Sequence, residues 1–238
     1  MRARLVALLV FALAWLHDAT ASAAPEVPEP MHADLVRGLD PEPGELEANV
    51  VAIEPLDAEA GPVAWAPEIE WAPPRRAAFE LELPFVGAEL RTIKLSTQLT
   101  LARPRRHRPA QGLLLSASLP LHRHAELQAT HVIAAHLGRR FGLVTQLGPR
   151  VGIDAVANAA RIGAFAGASA FVSLRDGSAI GIEGSWTGER RRHTLELLPQ
   201  VHVRAAKHVH LQFGLGARHE IGTHRFTAIV GLRVIVER

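Results

Sequence analysis

The stretch HVHLQFGLGAR (208–218) alternates without a break. Val209, Leu211, Phe213, Leu215 and Ala217 are apolar, and His208, His210, Gln212, Gly214, Gly216 and Arg218 stand between them. A period of two is the signature of a β-strand with two unlike faces. A strand in a soluble domain usually runs roughly five or six residues. A tilted strand that crosses a bilayer needs about nine to eleven. A chain made of such long, two-faced strands has few ways to fold, because the sheet must hide its edges as well as one of its faces.

The same period recurs along most of the chain. Phe79, Leu81, Leu83 and Phe85 alternate with Glu80, Glu82 and Pro84. Ile93, Leu95, Thr97, Leu99 and Leu101 form one row, Leu127, Ala129, His131, Ile133 and Ala135 another, and Leu195, Leu197, Pro199, Val201 and Val203 a third. Breakers separate the runs: APPRR (72–76), VGAE (86–89), ARPRRHRPAQ (102–111), HRH (122–124), LGRR (137–140), DAVANAA (154–160), RDG (175–177), GERRR (188–192), AAKH (205–208) and EIGTH (220–224). The spacing predicts about twelve strands, with eight to twelve possible, each roughly nine to fifteen residues long. The expected fold is all-β, an antiparallel up-and-down transmembrane β-barrel over residues 45–238. An even strand number puts both ends of the barrel, with APPRR, ARPRRHRPAQ, LGRR, RDG and AAKH, on one side. Pro149 and Pro199 fall inside predicted strands and cannot donate a ladder hydrogen bond, so a bulge or local break is expected beside each.

Residues 1–23 read as a cleaved secretory signal. Arg2 and Arg4 precede an apolar run from Leu5 to Leu16, and Ala21-Ser22-Ala23 is a small-x-small cleavage site. The apolar run of about twelve residues is too short for a membrane helix, which needs about 20. Residues 24–44 are rich in Pro and acid without periodicity and read as an irregular periplasmic lead-in. The chain has no Cys, which excludes disulfides, thiolate metal sites and lipid attachment through an N-terminal Cys. Basic residues number 26 against 24 acidic ones, and no aromatic-basic motif stands ready to stack bases, so nucleic acid is not an expected partner.

Alternation alone does not say which face is outside. In a membrane barrel the apolar row meets lipid and the polar row lines the lumen. The aromatic residues favour that arrangement, since barrels carry aromatic girdles at both interfaces. Trp71, Phe79 and Phe141 fall near one set of strand ends, and Trp65, Phe85, Trp186 and Phe226 near the other. The lumen-lining row is then Glu68, Glu70, Glu80, Glu82, Lys94, Gln98, Gln128, Gln146, Arg150, Glu183, Glu196, Gln200, His202, Arg204, His210, Gln212 and Arg218, with Arg233 pointing the same way.

The segments PGELEANV (43–50), PEIEWAPPRRAAFELELPFV (67–86), LRTIKLSTQLTLA (90–102), LPQVHVRAAKHVHLQFGLGARHEIG (198–222) and AIVGLRVIVER (228–238) resemble those of bacterial outer-membrane β-barrel proteins of the porin-like or transporter type. The resemblance covers about four-fifths of the chain and rests on strand-and-turn patterns. It implies a closed outer-membrane barrel whose lead-in and C-terminus are periplasmic. It implies outer-membrane lipid and the barrel-insertion machinery as partners, and it defines neither a substrate nor an oligomeric state. The chain departs from that pattern by ending in Val236-Glu237-Arg238 where an aromatic residue is usual, and by having no Tyr.

The lumen row suggests a charged constriction that selects small polar solutes. The same charges could instead pair across the lumen and fill it. The chain has thirteen His residues. His202, His208 and His210 lie close enough in sequence to suggest a metal site, but no carboxylate or Cys completes a recognised pattern. Ser185 and His193 could suggest a lipid-acting enzyme, yet no G-x-S-x-G elbow is present. The expectation is therefore a small porin-like or passive transport protein, with no catalytic residue, metal or cofactor. A plugged structural barrel is the alternative, with an outer-membrane lipid-acting enzyme behind it.

Overall fold

A computed structural model describes residues 27–31, 35–36, 38–39, 43–56, 61–73, 76–104, 108–121, 124–138, 140–154, 159–174, 177–190 and 192–237. The signal-peptide expectation lies outside the described residues. Fourteen strand segments follow in order: β1 (Leu46–Pro55), β2 (Ala64–Trp71), β3 (Ala77–Glu82), β4 (Phe85–Val86), β5 (Glu89–Leu90), β6 (Thr92–Ala102), β7 (Ala110–Pro120), β8 (His124–Leu137), β9 (Phe141–Asp154), β10 (Ala159–Ser173), β11 (Ala179–Glu189), β12 (Arg192–Ala206), β13 (Val209–Glu220) and β14 (Arg225–Glu237). β3 and β4 pair with β2 in one continuous register and form a single interrupted strand; beyond the turn at Gly87, β5 pairs with β4 and β6 with β3, one residue out of step, and together they form the next strand. The barrel therefore has twelve strands.

Every strand pairs antiparallel with its sequence neighbours, and β1 pairs with both β2 and β14. The sheet closes on itself and leaves no edge, as a wall of long strands requires. One end carries the start of β1, the end of β14 and the connections after β2, β6, β8, β10 and β12. This is the terminal end. The far end carries the other hairpins.

The ladder lapses beside both prolines, for Ala129 and Thr130 against Gly148 and Pro149, and for Leu198 and Pro199 against Leu215 and Gly216. It resumes in the same register each time, so a local break forms without a bulge. The strands crowd there. A Cβ on Gly148 would lie 1.8 Å from the Ala129 carbonyl oxygen, and one on Gly216 would lie 1.9 Å from that of Leu197. Only glycine tolerates so close an approach. Register shifts fall elsewhere, at Thr100–Ala102, at Arg204–Ala206 and between Leu90 and Thr92.

The two faces separate by chemistry. Leu81, Leu95, Leu115, Leu127, Leu147, Ile162, Leu197, Leu215 and Leu232 are exposed on the outer surface. Polar and charged residues alternate with them and are buried within the barrel: Glu47, Asn49, Glu68, Glu70, Glu80, Gln98, Gln146, Glu183, Gln200 and Arg233. This is the reverse of a soluble barrel, where the apolar row is interior.

Aromatic residues stack in pairs on the outer surface near both ends. Trp71 and Phe79 lie at the terminal end with ring centroids 6.2 Å apart. Trp65 and Phe85 lie at the far end at 4.6 Å. Also at the far end, Trp186 stacks on His193 and Phe226 on His219. Phe141 is exposed at the terminal end. Phe165 and Phe171 differ from these, being buried on the inner face of β10.

An occluded lumen as the candidate functional site

The lead-in was expected outside the barrel, in the periplasm. Its described residues from Val27 to Leu39 instead lie in the lumen. Leu35, Val36 and Leu39 pack on inward-facing Ala78, Ala110, Leu114, Val132, Val144 and Phe171, with Val27 and Ala134 against the same cluster. Met31 packs on Leu198 and Ile229, with Val51 and Ile53 at the margin. The physical reason is apolar burial. On β7, β8, β9 and β10 the inner row near the terminal end is apolar, so both faces of the sheet are apolar there, and an aliphatic segment covers the inner one.

The contacts trace the path of the segment. Val27 lies against Gly142, next to the terminal-end turn after β8. Met31 lies deeper, against Gly231. Leu39 is back near the terminal end beside Gly112, and the Gly44 amide donates to the Ala72 carbonyl at 2.6 Å. Val27 and Leu39, on either side of the deeper Met31, thus both lie toward the terminal end. Polar contacts hold its main chain. The Met31 amide donates to Glu183 Oε2 at 2.9 Å. Thr100 Oγ1 donates to the Leu39 carbonyl at 3.0 Å, Gln98 Nε2 to that of Gly38 at 3.4 Å, and Gln212 Nε2 to that of Glu29 at 3.5 Å.

Beside the plug stands a wall of carboxylates. Strand register sets Glu68 opposite Glu82, Glu70 opposite Glu80, and Glu47 opposite Glu70. Like charges placed directly opposite one another repel, so cations must sit among them. Arg233 of β14 is one. Its guanidinium lies 3.2 Å from Glu70 Oε1, 3.4 Å from Glu68 Oε2 and 4.0 Å from Glu47 Oε1. It also lies 3.6 Å from Glu29 Oε2 of the plug. Lys94 is the other, bonded to Glu82 and 3.2 Å from Glu80 Oε1. Asn49 Nδ2 adds a bond to Glu70 at 2.8 Å, and Ser96 Oγ one to Glu80 at 3.0 Å.

The residues expected to line the lumen all lie on the inner face. Glu68, Glu70, Glu80, Gln98, Gln146, Glu183, Gln200, His202 and Gln212 are buried. Glu82, Lys94, Gln128, Arg150, Glu196, Arg204, His210 and Arg218 are half-buried. They do not form one ring. Arg150 pairs with Glu126, Arg218 with Glu196, and His210 lies 3.5 Å from Glu237. His202 bonds Gln200 at 3.0 Å and meets the ring of Phe171 edge-on.

Toward the far end the lumen opens into two hollows. One of about 450 Å³ is lined by Glu82, Thr92, Lys94, Ser118, Glu126, Asp154, Arg161 and Glu189 among others. The other, of about 330 Å³, has Met31 of the plug, Lys94 and Arg233 among its lining residues, together with Val51, Ile53 and Ala66.

The other chemical candidates come apart. Ser185 faces inward and donates to Glu196 Oε2 at 3.4 Å, whereas His193 faces outward and stacks on Trp186. The wall of the barrel separates them, and no Ser–His pair forms. His208 is exposed in a turn, away from His202. Among the described residues, the carboxylates of Glu29, Glu47 and Glu70 come within 4.8 Å of one another, and the Arg233 guanidinium lies beside all three.

Sequence reasoning missed Glu47, Glu29, Met31, Leu35, Val36 and Leu39. One signal was present. Four aliphatic residues interrupt an otherwise Pro- and acid-rich stretch, and a solvated tether has no need of them.

No protein-family model and no curated protein matches the chain. Among solved structures it is similar to an outer membrane channel from Pseudomonas putida F1, with a TM-score of 0.63 and 11% identity over 92% of this chain and 100% of that one. The Acinetobacter baumannii outer membrane protein Omp33 aligns more loosely, with a TM-score of 0.38 and 10% identity over 81% of this chain and 97% of that one. A bacterial polysaccharide outer membrane secretin aligns with a TM-score of 0.46 and 9% identity over 80% and 97%. The first likeness shows a shared fold.

Proposed function

We propose that the chain is an outer-membrane channel for small polar solutes that rests closed, with residues 27–39 as its plug. One observation carries the reading: the described residues from Val27 to Leu39 pack inside the lumen, with Val27 and Leu39 both toward the terminal end and Met31 deeper. A filling of that kind can be withdrawn while the barrel stays intact. The polar inner row and the far-end hollow of about 450 Å³ would then form a continuous wet path. The apolar outer surface, with aromatic residues near both ends, suits a bilayer. The similar Pseudomonas putida structure is described as an outer membrane channel. In this reading the terminal end faces the periplasm, and lipid and the insertion machinery are the partners during assembly.

The experiment is solute entry into proteoliposomes, followed by swelling. Wild-type protein should admit small sugars slowly. A full-length variant with Leu35→Asp and Leu39→Asp should admit them at least tenfold faster. Equal, negligible rates from two folded barrels would leave the plugged structural barrel as the better account.

A further inference from the structure

The plug reports what the lumen wall is built to hold. Hydrogen bonds from Gln98, Thr100 and Gln212 and to Glu183 go to the main chain of the described segment, and Glu29 adds a side-chain ion pair to Arg233. Three wall residues donate to peptide carbonyls, and one accepts from a peptide N–H. Main-chain bonds of this kind recognise a peptide whatever its sequence, while pockets for side chains supply the selectivity. The pockets are present as well. Gly112, Gly142 and Gly231 face inward from three separate strands, and each receives one plug side chain. A Cβ at Gly112 would lie 2.5 Å from Leu39 Cδ2, one at Gly142 would lie 2.8 Å from Val27 Cγ1, and one at Gly231 would lie 2.3 Å from Met31 Sδ. The wall is notched where aliphatic side chains enter.

We propose that the lumen is a binding site for aliphatic peptides, with the segment from Val27 to Leu39 as its resident occupant, and that a free peptide of the same chemistry exchanges with that occupant. The inference rests on the segment being a removable plug. It adds a ligand class: short unstructured peptides with aliphatic side chains. A cationic or sugar-like solute would leave the glycine notches unfilled.

The test uses a fluorescent peptide with the sequence of residues 24–44 and full-length protein in detergent, read by anisotropy. In wild-type protein the tethered plug competes at an effective concentration on the order of millimolar. The Leu35→Asp, Leu39→Asp variant weakens the plug and leaves the wall untouched. It should bind the peptide saturably and at least tenfold more tightly than wild type does. Adding Gly112→Leu and Gly231→Leu to that variant should weaken binding at least tenfold, and a peptide whose Val, Met and Leu residues are all replaced by Ser should bind at least tenfold more weakly. Equal binding of the Ser-substituted peptide, or no binding by a variant that still shifts mobility on heating, overturns the proposal. If the Asp variant does not give a heat-modifiable barrel, Met31→Ala with Leu39→Ala takes its place under the same criteria. Conduction is a separate readout: a variant that conducts without binding peptide overturns this inference alone, and one that binds without conducting overturns the channel reading alone.

Discussion

Replacing Arg233 by Met should destabilise the barrel more than any other single change in the lumen. The side chain is 1% exposed and sits against carboxylates from β1 and β2 and from the plug. Each contact near 3.3 Å represents about 5 kcal/mol of gross attraction at an effective dielectric of about 20. Desolvation offsets most of that, so the pairing itself contributes little net stability. Removing the cation is another matter. Glu47, Glu68 and Glu70 stay buried with their mutual repulsion uncovered, and breaking a buried pair from one side costs about 3–5 kcal/mol. Arg233→Met should therefore lower unfolding stability by about that amount, read as the urea midpoint of refolded protein in lipid vesicles. The reasoning also predicts a rescue. Glu68→Gln and Glu70→Gln should each cost stability in the wild-type protein and recover at least half of the loss together in the Arg233→Met background. A loss below about 1 kcal/mol, or no rescue, would refute the account of Arg233 as the cation that makes this carboxylate wall tolerable.

Two further outcomes follow from the two faces. Leu147 is 64% exposed on the outer surface at the middle of β9, so Leu147→Arg should cost about 2–4 kcal/mol in lipid vesicles; a neutral result there would argue that this face does not meet the membrane. Gly231→Val places a branched side chain where Met31 Sδ now sits, and should speed hydrogen exchange at the Met31 amide at least tenfold by breaking its bond to Glu183. Unchanged exchange would show that Met31 is not held in that notch.

The barrel was legible because its cause is repetitive. Alternation over long runs fixes strand direction, face and approximate count, and the hairpin breakers lie where the ladder turns. The inner row from Glu68 to Arg218 could be read by parity alone. The pairings within it could not, because they depend on register across strands distant in sequence: Arg233 meets Glu70 only when β14 and β2 both flank β1. The prolines misled in a smaller way. Pro149 and Pro199 do interrupt the ladder, but glycine on the same or the facing strand absorbs the crowding, and no residue is gained or lost from the register. The plug was hidden for another reason. Composition marks residues 24–44 as unable to form a core of their own, and the described Val27, Met31, Leu35, Val36 and Leu39 share one with the wall. The signal for that was split between four aliphatic residues in the lead-in and an aliphatic inner row on β7, β8, β9 and β10, and neither half identifies the other by periodicity.

Single-channel recording in planar bilayers tests the central claim most directly. The full-length wild-type protein should stay closed for most of the record. The full-length Leu35→Asp, Leu39→Asp variant should open in discrete steps of one size, since the same barrel stands with its plug loosened. Identical records from the two proteins, whether both silent or both conducting, would contradict the account of residues 27–39 as the gate of a channel.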